Sequence, residues 1–271
     1  MQTNLPLHPC GIGPGLLMAR DPPRITYNGR EYPDTKEDTI TSSYENNNNT
    51  TMVHRPFFFG PTEIATIRHF VPHHLLRQCS TFDVITACFW RCRTKALQME
   101  PEEEVRIICI INARAKFNPP LPIGYYGNAI ALPAAVTTAG KLCGNPFGYA
   151  VELINKLKSE VTEEYMHSVS DLMVIKERCS FTRVRSCIIS DLTRARFREV
   201  DFGWGDAVYG GVAQAGAGHF PAATYHVSFK NAKGEEVVVL PILLPTESMN
   251  RFAKELDDML GKQYQPTGRS P

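Results

Sequence analysis

The run Val105-Arg106-Ile107-Ile108-Cys109-Ile110-Ile111 is almost unbroken in apolar side chains and is bounded by charge at both ends. Such a run suits a central strand, buried from both sides, around which other elements must be layered. The rest of the chain supplies those layers. Residues 52–59 are aromatic and β-branched and predict a strand, which Gly60-Pro61 ends. A short helix is expected over 63–70. Ser80 and Asp83 have the spacing of a capping box. Phe82, Ile85, Thr86, Phe89 and Trp90 then recur at helical spacing, so a helix is expected to about Leu97, with Trp90 in the core. One long helix is expected over 148–176, with Val151, Ile154, Leu157, Val161 and Tyr165 along its buried face. A strand follows over 181–189. Residues 225–229 and 236–243 flank Asn231-Ala232-Lys233-Gly234 and read as a hairpin. Pro245-Thr246 opens a last helix to about Leu260, with Met249, Phe252, Leu256 and Leu260 as its stripe. Strands alternating with helices, plus a terminal hairpin, define an α/β or α+β layer sandwich.

Bulk properties exclude several classes. At 271 residues and 43% hydrophobic the chain can bury a sizeable core. A net charge of +1 provides no field for nucleic acid or an anionic membrane. No apolar run approaches a bilayer span, and the first ten residues lack the basic start and apolar stretch of a secretory signal. The eight cysteines (Cys10, Cys79, Cys88, Cys92, Cys109, Cys143, Cys179 and Cys187) form no Cys-x-x-Cys pair, so no metal site is expected. Free thiols in a reducing compartment, and hence a cytosolic protein, are expected.

The most specific motif is Asp201-Phe202-Gly203-Trp204-Gly205. Alternate glycines around one of only two tryptophans specify a shaped loop. A second stretch runs from Asn112 and Arg114 through Phe117, Pro119, Pro120 and Pro122 to Gly124-Tyr125-Tyr126-Gly127-Asn128. Together they resemble the plant BAHD acyltransferases, and among those the alcohol acyltransferases and benzyl alcohol benzoyltransferases. The resemblance spans roughly residues 17–260 and corresponds to about the second half of a family member. It implies a chloramphenicol-acetyltransferase-like C-terminal domain, acyl-CoA as co-substrate and a small alcohol as acceptor. It also implies that the Asp201 loop is structural and near the coenzyme end of a channel, with Asp201 paired to Arg114. Ser190, Asp191, Thr193 and Arg194 are implied to lie along the coenzyme side; a solvated face is the equal alternative for them. Residues 213–218 fall where the family shapes its acceptor pocket.

Residues 1–16 do not resemble the family, whereas 19–24 do, and that start is expected to come from an incomplete gene model or a truncated transcript. Residues 17–51 are polar, end in an asparagine run, and are expected to form a mobile connection before a domain at 52–271. The family draws its base from a His-x-x-x-Asp-Gly motif in its first domain. Here the only His-x-x-x-Asp is His167-Ser168-Val169-Ser170-Asp171, followed by Leu172. About 0.3 such spacings are expected by chance, so it carries almost no weight. An ordinary i, i+4 pair on an exposed helix face is the favoured reading, and no catalytic residue is assigned. His219 and His226 are likewise assigned nothing. The expectation is an incomplete catalyst that needs a complementary N-terminal domain. The alternative is a non-catalytic partner that holds CoA or regulates a full acyltransferase.

Overall fold

The computed structural model describes residues 17–27, 29, 32, 51–177, 182, 185–205, 207, 209–212 and 222–261. In chain order the elements are β1 (Met52–Phe59), α1 (Pro61–Arg68), α2 (His73–Leu76), α3 (Thr81–Ala96), β2 (Glu104–Asn112), β3 (Ile130–Ala131) and β4 (Ala134–Thr138). They continue with α4 (Ala139–Gly144), α5 (Phe147–Glu160), α6 (Glu163–Ile175), β5 (Ser186–Asp191), β6 (Ala223–Lys230), β7 (Glu236–Pro245) and α7 (Thr246–Met259). One seven-stranded sheet has the order β1-β7-β6-β5-β2-β3, with β4 also paired to β2. The apolar run is central as expected: β2 runs parallel to β5 and antiparallel to β4 and β3.

The main core lies between the sheet and the helical layer. α3 carries Val84, Ile85, Cys88, Phe89, Trp90 and Cys92 into it, and α7 adds Met249, Phe252 and Leu256. Phe252 meets the edge of Phe57 from β1 at 4.9 Å. Trp90 is packed in the core, 1% exposed. The capping box forms: the Ser80 Oγ accepts from Asp83 N, and Asp83 accepts from Ser80 N at 2.7 Å. Asp83 also holds an ion pair with Lys158 of α5, Nζ to Oδ2 2.6 Å. The helix-free face of the sheet carries a smaller cluster of Ile108, Ala134, Ile188 and Ala223.

The long helix expected over 148–176 is two helices. Val161 at the end of α5 is extended, and the hydroxyl of Thr162 accepts from Tyr165 N at 3.2 Å, starting α6 with Glu163 and Glu164 in its first turn. The apolar period passes through the break because Val161, Tyr165 and Met166 all enter a second core, with Phe117, Leu121 and Ala129. β5 begins at Ser186 rather than 181; Phe181, Arg183 and Val184 lie outside the described residues.

Of the expected connection, residues 17–27 lie on α6. Arg20 and Arg24 donate to Asp171, and Thr26 and Tyr27 donate to Ser168. Residues 33–50 are outside the described set. This arrangement corrects the reading of His167 and Asp171. Asp171 has no exposed side-chain surface, and its partner is Arg20 rather than His167. His167 sits 3.8 Å from Glu163, with its ring at 6.2 Å from that of Phe117.

Candidate coenzyme-side site

The site is built where β5 ends beside β6. These strands are parallel, and Asp191 lies opposite His226. Ligands in sheets with parallel strands bind beyond the carboxyl ends. Alternation sends Cys187, Ile189 and Asp191 to the helical side and Ile188 and Ser190 to the other. The four residues expected together are therefore split. Asp191, Thr193 and Arg194 line one cavity of about 290 Å3, whereas Ser190, 7% exposed, lies on the opposite face of the sheet.

The other walls are Ser80, Thr81 and Phe82 at the start of α3, His226 and Ser228 of β6, and Glu236 of β7. Asp191 Oδ1 accepts from Thr193 N at 2.9 Å and from the Thr193 hydroxyl, which fixes the turn after β5. His226 is buried against Phe82, ring centroids 4.8 Å apart, with Nε2 3.4 Å from the Thr86 hydroxyl. Burial pushes its imidazole down to about 4, against an upward pull from Asp191 and Asp83. At neutral pH it is an uncharged hydrogen-bonding group. A second polar cavity of about 300 Å3 shares Thr193, Ser228 and Glu236 and continues past Arg196 and Glu199. The chemistry on offer is hydroxyls, a neutral imidazole, an exposed guanidinium and the carboxylates of Asp191 and Glu236. Among the described residues no cluster of three or more potential metal ligands occurs.

On the helix-free face lies an apolar cavity of about 450 Å3 between Pro56, Phe58, Phe229, Val239, Pro241 and Tyr209. Tyr209 donates its hydroxyl to Val212 O at 2.7 Å. Residues 213–218, expected near an acceptor pocket, lie outside the described residues, as does His219.

The Asp201 loop is shaped as expected but held differently. Asp201 Oδ1 accepts from Gly203 N, Trp204 N and Gly205 N at 2.7, 3.1 and 3.0 Å. Those bonds hold its carboxyl below the ordinary value. Gly203 and Gly205 have φ of 91° and 104°, which side chains rarely adopt. The expected pair with Arg114 does not form. Arg114 follows β2 in a 3-10 turn and donates to Gly127 O. The converging amides of the loop already satisfy Asp201. Phe202 and Trp204 point outward, 79% and 92% exposed.

From the sequence His226 is assigned no role, Phe82 is placed only in the helical stripe of α3, and Ser228 and Glu236 carry no site motif. The available signal was alternation along β6, which puts His226 and Ser228 on one face.

Solved structures share this architecture. TRI101 of F. graminearum, complexed with coenzyme A and deoxynivalenol, matches with a TM-score of 0.63 at 13% identity, over 87% of this chain and 54% of that one. Vinorine synthase matches with a TM-score of 0.56 at 16% identity, over 77% of this chain and 48% of that one. The fold is thus chloramphenicol-acetyltransferase-like. Sequence relatives narrow it. Benzyl alcohol O-benzoyltransferase of Petunia hybrida is 58% identical over 249 residues, 90% of this chain and 52% of the relative. Alcohol acyl transferase 1 allele GSa of Malus domestica is 47% identical over 247 residues, 89% of this chain and 52% of the relative. The family model described as "Transferase family" matches residues 14–259, and the chain belongs to that family, the BAHD acyltransferases. It spans about half the length of these relatives, matching their C-terminal half.

Proposed function

We propose that the chain is the C-terminal domain, residues 52–271, of an acyl-CoA-dependent alcohol O-acyltransferase that forms esters from an acyl-CoA and a small alcohol. The observation that carries this reading is the 58% identity to the Petunia benzoyltransferase over 249 residues. The polar cavity at Asp191, Thr193 and Arg194 takes the coenzyme, and Arg194 supplies a charge-assisted bond to phosphate. In this reading the compartment is the cytosol.

Ester formation needs a base for the alcohol proton and donors for the oxyanion. His167 is a poor base for that step. It packs against Phe117 and Glu163, its Nδ1 is buried without a partner, and Asp171 is committed to Arg20. In this reading the base comes, as the resemblance to the family implies, from a His-x-x-x-Asp-Gly motif in an N-terminal domain, and the chain alone does not turn over.

Benzoyl-CoA and acetyl-CoA offered with a panel of alcohols should give no ester above background. A separately expressed N-terminal half of the Petunia relative should restore product. A robust rate from this chain alone, abolished by His167→Ala, contradicts the reading. Titration calorimetry should show CoA binding weakened about tenfold by Arg194→Ala, the loss of one charge-assisted bond. Ser190→Ala, on the other face, should leave it unchanged. CoA binding with no turnover under complementation would favour the second reading, a non-catalytic CoA-holding or regulatory partner.

A further inference from the structure

Glu164, Ser168 and Asp171 form one stripe along α6, and residues 17–27 satisfy all three. Asp171 accepts from Arg20 N, Arg20 Nε and Arg24 N at 2.7, 2.6 and 2.9 Å. Ser168, 1% exposed, accepts from Thr26 N and Tyr27 N, both at 2.9 Å. Glu164 accepts from Arg20 Nη1 at 2.9 and 3.0 Å and from the Thr26 hydroxyl. The Ser170 hydroxyl donates to Leu17 O at 3.1 Å, and Tyr27 meets the edge of Tyr165 at 4.6 Å.

Four backbone amides of one bent segment are thus read by side chains of one helix, and a single arginine bridges two of its carboxylates. A buried carboxylate and hydroxyl on α6 need these donors, because unpaired they would be strongly unfavourable. The segment's apolar contacts are confined to the second core, where Leu17 and Tyr27 pack on the Phe117 and Tyr165 cluster. None of residues 17–27 enters the main core. The two cores meet at Ile111, but residues 17–27 reach only the smaller one, and segments with few core contacts open first.

We infer that the Glu164–Ser168–Asp171 stripe is a recognition site for an arginine-bearing segment, occupied by residues 17–27 as a strap that can leave without unfolding the sheet and its helical layer. The strap fixes the chain upstream of β1 on α6, and its release uncovers Phe117, Leu121 and Tyr165.

Residue-resolved hydrogen exchange on the full chain at neutral pH tests this. In the wild type the amides of Arg20, Arg24, Thr26 and Tyr27 are expected to be protected. Asp171→Ala should speed exchange at Arg20 and Arg24 about tenfold or more, the loss of charged hydrogen bonds. Ser168→Ala should act first on Thr26 and Tyr27. In both variants the amides of β2, β5 and α3 should keep wild-type protection. Unprotected strap amides in the wild type would overturn the site. Loss of protection in β2, β5 and α3 in step with the strap, or failure of both variants to fold, would overturn its independence.

Discussion

Asp171 and Asp201 each hold a partner other than the expected one: Asp171 takes Arg20 from far along the chain, whereas Asp201 is satisfied within its own loop. Burial alone would raise the Asp171 carboxyl, but the Arg24 and Arg20 amides and the Arg20 guanidinium outweigh it and hold it below the ordinary value. A depressed carboxyl stabilises above its unfolded value and loses that contribution as pH falls through its folded one. Glu164, lowered by Thr26 and Arg20, acts in the same direction. Strap protection should therefore persist through neutral pH and disappear only in acid, below the ordinary value of 3.8 for Asp171, which exchange at stepped pH will show. His226 has the opposite charge logic. Its burial keeps it neutral, so protons favour the unfolded chain between the ordinary 6.5 and about 4. Stability to urea should fall as pH drops through that window, and His226→Gln should flatten this part of the profile. At Asp201, substitution by alanine should accelerate exchange of the amides at 203–205 and leave the melting temperature little changed, because the loop is exposed.

At the scale of elements, α3 is the spine of the helical layer and its start is held from outside. Lys158 of α5 neutralises Asp83, whose side chain is fully buried. Lys158→Ala strands that carboxylate and should cost about 3 kcal/mol in chemical denaturation, the low end for a broken buried pair because Lys158 is itself partly exposed. Phe252→Ala opens a cavity between α7, β1 and α3 and should cost about 4 kcal/mol. The expected strand at 52–59, the α3 cap, the hairpin and the last helix are all observed, because each has its own start and stop signals. The merged helix shows where that method fails. Thr162 followed by two glutamates was a visible N-terminus, but the apolar period across it was stronger. β4 and α2 went unread because short elements carry too few residues for a period to show. The edge strand β1 has a different safeguard. Among the described residues no further strand pairs with β1, and Pro56 offers no N–H there, which blunts the edge against pairing with another chain.

Over the whole molecule the two tryptophans report on different places. Trp90 is 1% exposed and Trp204 92%. Acrylamide should quench about half of the fluorescence readily, and Trp204→Phe should remove that accessible part. Equal protection of both indoles would mean that the Asp201 loop is covered in solution.

The sequence by itself determined the family, the central strand, the helical layer and the glycine-framed loop, because these depend on local propensity, period and motif. Only the tertiary structure decided which face of β5 carries Ser190 and which carries Asp191, and that His226 joins the cavity. It also decided that Asp171 serves residues 17–27 and that Arg114 serves Gly127 instead of Asp201. Pairing between groups distant in the chain is set by strand register and helix packing, and a buried polar group takes whichever partner that packing delivers.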